Sequence, residues 1–224
     1  MQQQTELVYQ QLKIEIEQLY AEVYNAVDNE PRIKELFKGW KVLYSPLIYK
    51  PDVMFIGINP GPGEEGVFDC EYEDKGELEY LHYDYDLANE TKSVFEMSNK
   101  FDLLYNAVKT NFYYLATSEP KDIFKITDFL GRGDDTKLGE QLLKSSWRWT
   151  KRLIEIVEPQ LIVCEGADAF RNVTDLFIGA MKMNENVESI YIEEIQATVI
   201  GYKRIHSKIK DKELFAEKLM KLSV

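Results

Sequence analysis

The chain has 224 residues, 45% hydrophobic and 29% charged, the composition of a globular domain and neither a disordered nor a fibrous chain. Its 27 Lys and Arg stand against 39 Asp and Glu, a net charge of −12. That argues against strong nonspecific binding of polyanions, because duplex affinity rests on cations that neutralise phosphate.

No apolar run reaches the roughly 18 residues that span a bilayer. The N-terminus, MQQQTELVYQQLKIEIEQLY, is polar and helical in pattern, unlike a secretory signal. Cys70 and Cys164 offer no disulfide framework and no metal-ligand spacing, so a reducing cytoplasm is the expected compartment. Val8, Leu12, Ile16, Leu19, Val23 and Val27 recur at helical steps and predict a helix over 5–27. Pro31 opens a short helix that runs to Phe37. Lys41 to Ile48 reads as a strand interrupted by Pro46.

Val53 to Ile56 is wholly apolar, as in a parallel strand covered on both faces. Residues 70–87, rich in tyrosine and acid, lack a helical stripe and read as a surface insertion, with a turn at Lys75-Gly76. Glu90 to Val108 reads as helix, broken near Asn99. Thr110 to Thr117 follows as an aromatic strand, and 118–136 as a long loop containing GRGDD. Leu138 to Val157 is helical, with Leu142, Ser146, Trp149, Leu153 and Ile156 on one face. Leu161 to Cys164 is a buried strand, Gly166 to Phe177 a helix, Val187 to Ile205 strands, and Lys210 to Leu222 the last helix.

Alternating strands and helices predict a three-layer α/β/α sandwich with a mostly parallel central sheet of about four strands. The chain reads as one domain, 1–224, with an N-terminal helical extension over about 1–40 and the insertion at about 70–87. Ligands of such sheets bind outside the carboxyl ends of the strands. Polar residues gather there: GINPGPG after the first strand, TN at the second, RIHSK after the last. Gly57, Gly61 and Gly63 permit unusual backbone geometry while Pro60 and Pro62 stiffen it, which holds Asn59 at the strand tip. An amide positions water by accepting and donating hydrogen bonds. The plainer alternative is a tight turn that Asn59 merely supports. Phe68 as core, Asn111 and His206 as strand-end hydrogen bonders, and Glu165 and Asp168 as helix caps are the corresponding plain readings.

GINPGPG resembles the first motif of the uracil-DNA glycosylase superfamily, in the Asn-bearing form of its mismatch-specific and single-strand-selective branch. Phe68 in EEGVF is similar in placement to the aromatic that stacks on the extruded base. TNFYY resembles the strand whose Asn, here Asn111, reads the edge of uracil. LIVCEGADAF looks like the family's third strand and helix. IHSK resembles the second catalytic motif, although Ser207 follows His206 directly where the family has Pro.

The resemblance implies a DNA-repair hydrolase that cleaves the N-glycosidic bond of uracil or a related damaged base, after flipping it from the stack. Asn59 would hold the water and His206 would stabilise the leaving base, as oxyanion-hole donors do. Phe68, Asn111, Gly57 and Ile58 would line the base pocket. Pro60, Gly61, Ser207, Lys208 and Ile209 would meet DNA, with Ile209 as the wedge. No metal or organic cofactor is implied, and a monomer is the default. The alternative is an inactive or repurposed member of the fold that binds a nucleobase, a nucleotide or a protein partner.

Overall fold

The computed structural model describes residues 2–61, 76–132 and 137–222. They group into two compact units where the sequence reads as one domain. The first comprises 2–42, 59–61, 111–132 and 137–156; the second comprises 43–58, 76–110 and 157–222.

The second unit is built on a five-stranded sheet. Its strands are β1 (Val53–Gly57), β2 (Ala107–Asn111), β3 (Leu161–Cys164), β4 (Val187–Ile192) and β5 (Ala197–Tyr202), in the order β2-β1-β3-β5-β4. Asn111, the last residue of β2, is assigned to the first unit. β1, β3 and β5 run parallel, and β4 closes one edge antiparallel to β5. Every residue of β1 and β3 is buried, as the uninterrupted apolar runs require.

Helices α3 (Glu79–His82), α4 (Asp86–Met97), α7 (Ala167–Asp175) and α8 (Lys212–Met220) belong to this unit. Phe55 meets Phe95 of α4, and Tyr202 meets Phe215 of α8. The next residue along β5, Gly201, points to the opposite face. A Cβ there would lie 2.6 Å from Phe170 of α7. Helices therefore cover both faces of a mixed, mostly parallel sheet, compatible with an α/β/α sandwich.

The first unit is helical: α1 (Gln2–Asp28), α2 (Pro31–Leu36), α5 (Pro120–Leu130) and α6 (Leu138–Val157, to its penultimate residue). α1 is integral to its core rather than an extension. Leu12, Ile16, Leu19, Tyr20, Val23 and Val27 are all buried, and Tyr20 stacks on Trp40 at 5.3 Å. Tyr114 stacks on Trp149 at 6.2 Å, and Phe112 meets Trp147 edge-on at 5.0 Å.

Four expectations are corrected. Lys41 to Ile48 forms no strand, only an isolated bridge at Leu43–Thr110, with another just before it at Trp40–Leu115. Pro46 lacks a donor, and the Ser45 hydroxyl takes the Lys109 N–H at 2.9 Å in place of a ladder carbonyl. The second strand is 107–111 rather than 110–117, because 112–115 instead places aromatic rings against α6. The loop expected at 118–136 contains α5, started by Pro120 and held by Ile123, Ile126 and Leu130. The described part of the expected insertion, 76–87, contains α3 and buries Leu78 and Tyr80. Residues 62–75, which include Phe68, lie outside the described residues. The break near Asn99 is present: it takes a left-handed φ of 54° between α4 and a 3-10 helix at Phe101–Asn106. Among the described residues no helix is long and apolar enough to cross a membrane.

Candidate functional site

β1 delivers the GINPG segment at the carboxyl edge of the sheet. Gly57 is its buried last residue, Ile58 and Asn59 are half-buried, Pro60 is buried and Gly61 exposed. The Asn59 amide nitrogen donates to the Pro60 carbonyl at 2.9 Å and to the Thr117 hydroxyl at 2.9 Å, with the Thr117 carbonyl at 3.5 Å. Two of these partners are carbonyls and only accept, so the amide is oriented with nitrogen inward. Held this way, the amide has its oxygen as its hydrogen-bond acceptor. The Pro60 carbonyl also accepts the Thr117 N–H at 3.2 Å, and the Thr117 hydroxyl donates to the Glu119 carbonyl at 2.8 Å. This stapling serves the plain turn reading and the water-holding one alike.

Asn111 ends β2 and is 5% exposed. Asn59 and Asn111 both belong to the first unit; His206 belongs to the second. It sits with Ser207 in the two-residue turn between β6 (Arg204–Ile205) and β7 (Lys208–Ile209). His206 is exposed and takes a left-handed φ of 52°, a region that histidine visits more readily than most residues.

The hairpin is pinned from α4. Glu90 accepts the Ile209 N–H at 3.1 Å and pairs with Lys212 at 2.8 Å. Burial opposes the Glu90 carboxylate. Lys212 and the Ile209 N–H outweigh it and hold this carboxyl below its ordinary range. Lys208 is exposed, whereas Ile209 is buried among core side chains and is not placed as a wedge. The exposed apolar residue of the hairpin is Ile205, at 58%.

Sequence reading did not find the most unusual polar cluster of the second unit. Lys109 in β2 is buried, with its ammonium 2.8 Å from Glu79 of α3 and 3.5 Å from Glu165. It also lies 4.2 Å from the centre of the Tyr80 ring. Glu165 follows β3 and continues its ladder by donating its N–H to the Ile56 carbonyl at 2.9 Å. It accepts the Tyr80 hydroxyl, and Glu79 accepts that of Tyr85. Burial disfavours the Lys109 ammonium, but Glu165 and Glu79 together hold its pKa above the ordinary value. The legible signal was Glu165 itself, a charge placed directly after four apolar strand residues.

Cys164 is fully buried, and burial followed by the nearby Glu165 pushes its thiol up, so it is an unreactive core residue. The chain matches no known family model and no curated protein.

Proposed function

We propose that the chain is an N-glycosylase acting on uracil or a related damaged base in DNA, with an active site of the uracil-DNA glycosylase type. The observation that carries this reading is the oriented amide of Asn59, two residues beyond a buried strand of a parallel sheet. Strand carboxyl ends are where such sheets take ligands. With its nitrogen held inward, the Asn59 oxygen accepts a hydrogen bond from the attacking water and turns a lone pair toward the anomeric carbon. His206 donates to the uracil oxygen as the bond breaks, a contribution of roughly 3 kcal/mol to the barrier. Asn111 reads the base edge and rejects cytosine, whose amino group stands where uracil presents a carbonyl. Phe68 stacks on the flipped base.

A second reading, a member of the fold that binds a nucleobase without cleaving, is favoured by the net charge of −12.

The test is base release from labelled oligonucleotides with one uracil, single-stranded or opposite G or A, by the wild type, Asn59→Ala and His206→Ala. Alkali then cleaves each abasic site. Wild-type release that both substitutions abolish supports the glycosylase. Folded wild type that releases nothing from any substrate overturns it and leaves the binding reading.

A further inference from the structure

We propose that Lys109 is a latch: its ammonium fastens residues 76–86, the segment bearing α3, to the carboxyl edge of the sheet, and this segment docks and releases as one unit. The inference is independent of the glycosylase reading and concerns only the second unit.

α3 spans four residues, too short to persist without outside contacts. Its backbone is tied to the rest of the unit by the Glu79 N–H, which donates to the Tyr44 carbonyl at 3.0 Å. Asp84 pairs with Lys92 of α4 at 2.7 Å, and the more buried polar anchors converge on one cation. Glu79 on the segment and Glu165 on the sheet edge are both partners of Lys109, and Tyr85 and Tyr80 donate to those same two carboxylates. Glu165 is 3% exposed and Lys109 7%, so neither replaces its partner with bulk water. The wiring makes release cooperative: losing the ammonium strands two carboxylates at once, and each is hydrogen-bonded to a tyrosine of the segment. Leu78 and Tyr80 bind the segment by burial, Tyr80 edge-on to Phe55 at 5.4 Å, and the partly buried Leu81 packs against the same core. Release would therefore uncover Phe55, Lys109 and Glu165 together, at the sheet edge where parallel α/β folds receive ligands.

The test is native-state hydrogen exchange on the full chain, comparing wild type, Lys109→Met and Glu79→Gln. In Lys109→Met the amides of Glu79, Leu81 and Tyr83 are expected to exchange on the order of 100-fold faster, while β3 and β5 keep their protection. Glu79→Gln, which leaves Lys109 paired with Glu165, is expected to show the same localised change at roughly tenfold. Because the groups are largely buried, both effects depend on added salt much less than those of an exposed pair. Unchanged exchange in the segment overturns the latch. So does equal acceleration of the segment and the sheet, which would make Lys109 a general core residue. Should Lys109→Met fail to fold, Glu79→Gln decides by the same two criteria.

Discussion

The side-chain nitrogen of Asn59 donates to the hydroxyl of Thr117 at 2.9 Å, joining positions 58 residues apart in the chain. Thr117 is 1% exposed and passes the bond on to the Glu119 carbonyl. Thr117→Val keeps the shape and removes the hydroxyl. It is expected to cost about 1–3 kcal/mol, because buried partners lose their hydrogen bonds. It also removes one of the two 2.9 Å bonds that orient the amide, leaving the Pro60 carbonyl and the longer contact to the Thr117 carbonyl. On the proposed reading, single-turnover uracil release then slows while substrate binding holds. Urea unfolding and single-turnover kinetics check the two effects separately.

Gly139 lies in α6 where a Cβ would collide with the Thr127 carbonyl of α5. Alanine in a helix normally gains about 1 kcal/mol over glycine. Here overpacking against backbone costs about 1–3 kcal/mol, and Gly139→Ala is expected to be destabilising on balance. Gly131→Ala is the control. Its added methyl would meet the Thr127 and Asp128 carbonyls at 3.5 and 3.7 Å, ordinary contact distances. Urea midpoints of the two variants should move apart, and a gain in Gly139→Ala would show that the two helices do not approach so closely.

Alkali should unfold the protein cooperatively. Burial holds the phenols of Tyr20, Tyr44, Tyr80 and Tyr202 well above their ordinary value of 10.0, with Glu165 adding to the effect at Tyr80 and Tyr202. Lys109 is raised as well: burial works against its charge, and the two glutamates prevail. The folded state thus keeps protons that the unfolded chain releases. This contribution is intact below the ordinary phenol value and is lost as pH rises toward the folded-state values. Thermal midpoints should fall above about pH 10, with buried phenolate absorbance appearing together with loss of circular dichroism.

Glu90 gives the opposite dependence. Its folded carboxyl lies below the ordinary 4.5, so its contribution is present above that value and is lost as pH falls through the lower one. Glu90→Ala should cost about 1–2 kcal/mol at neutral pH, by removing charge-assisted bonds to Ile209 and Lys212. It should also flatten the acid decline of the wild type. Urea unfolding at neutral pH and below the ordinary carboxyl value measures both, and an unchanged acid decline would place its source elsewhere.

Periodicity made α1, α6, β1 and β3 legible, because each carries a repeating apolar pattern long or pure enough to name its own geometry. α5 was hidden by the Gly- and Asp-rich residues that follow it. β2 was misplaced because Lys109 reads as a surface charge and the aromatic run after it reads as strand. The resemblance cast Ile209 as a wedge, yet it is buried in the core cluster beside α4 while Ile205 stays outside.

The sequence by itself determined the strand–loop–helix alternation and the stiff turn that presents Asn59, since apolar spacing and the limits on glycine and proline are local properties. Only the tertiary structure decided the partner of the Asn59 amide and the burial of Lys109 between Glu79 and Glu165. A hydrogen bond or an ion pair depends on which distant segments meet, and no local pattern encodes a partner across strands.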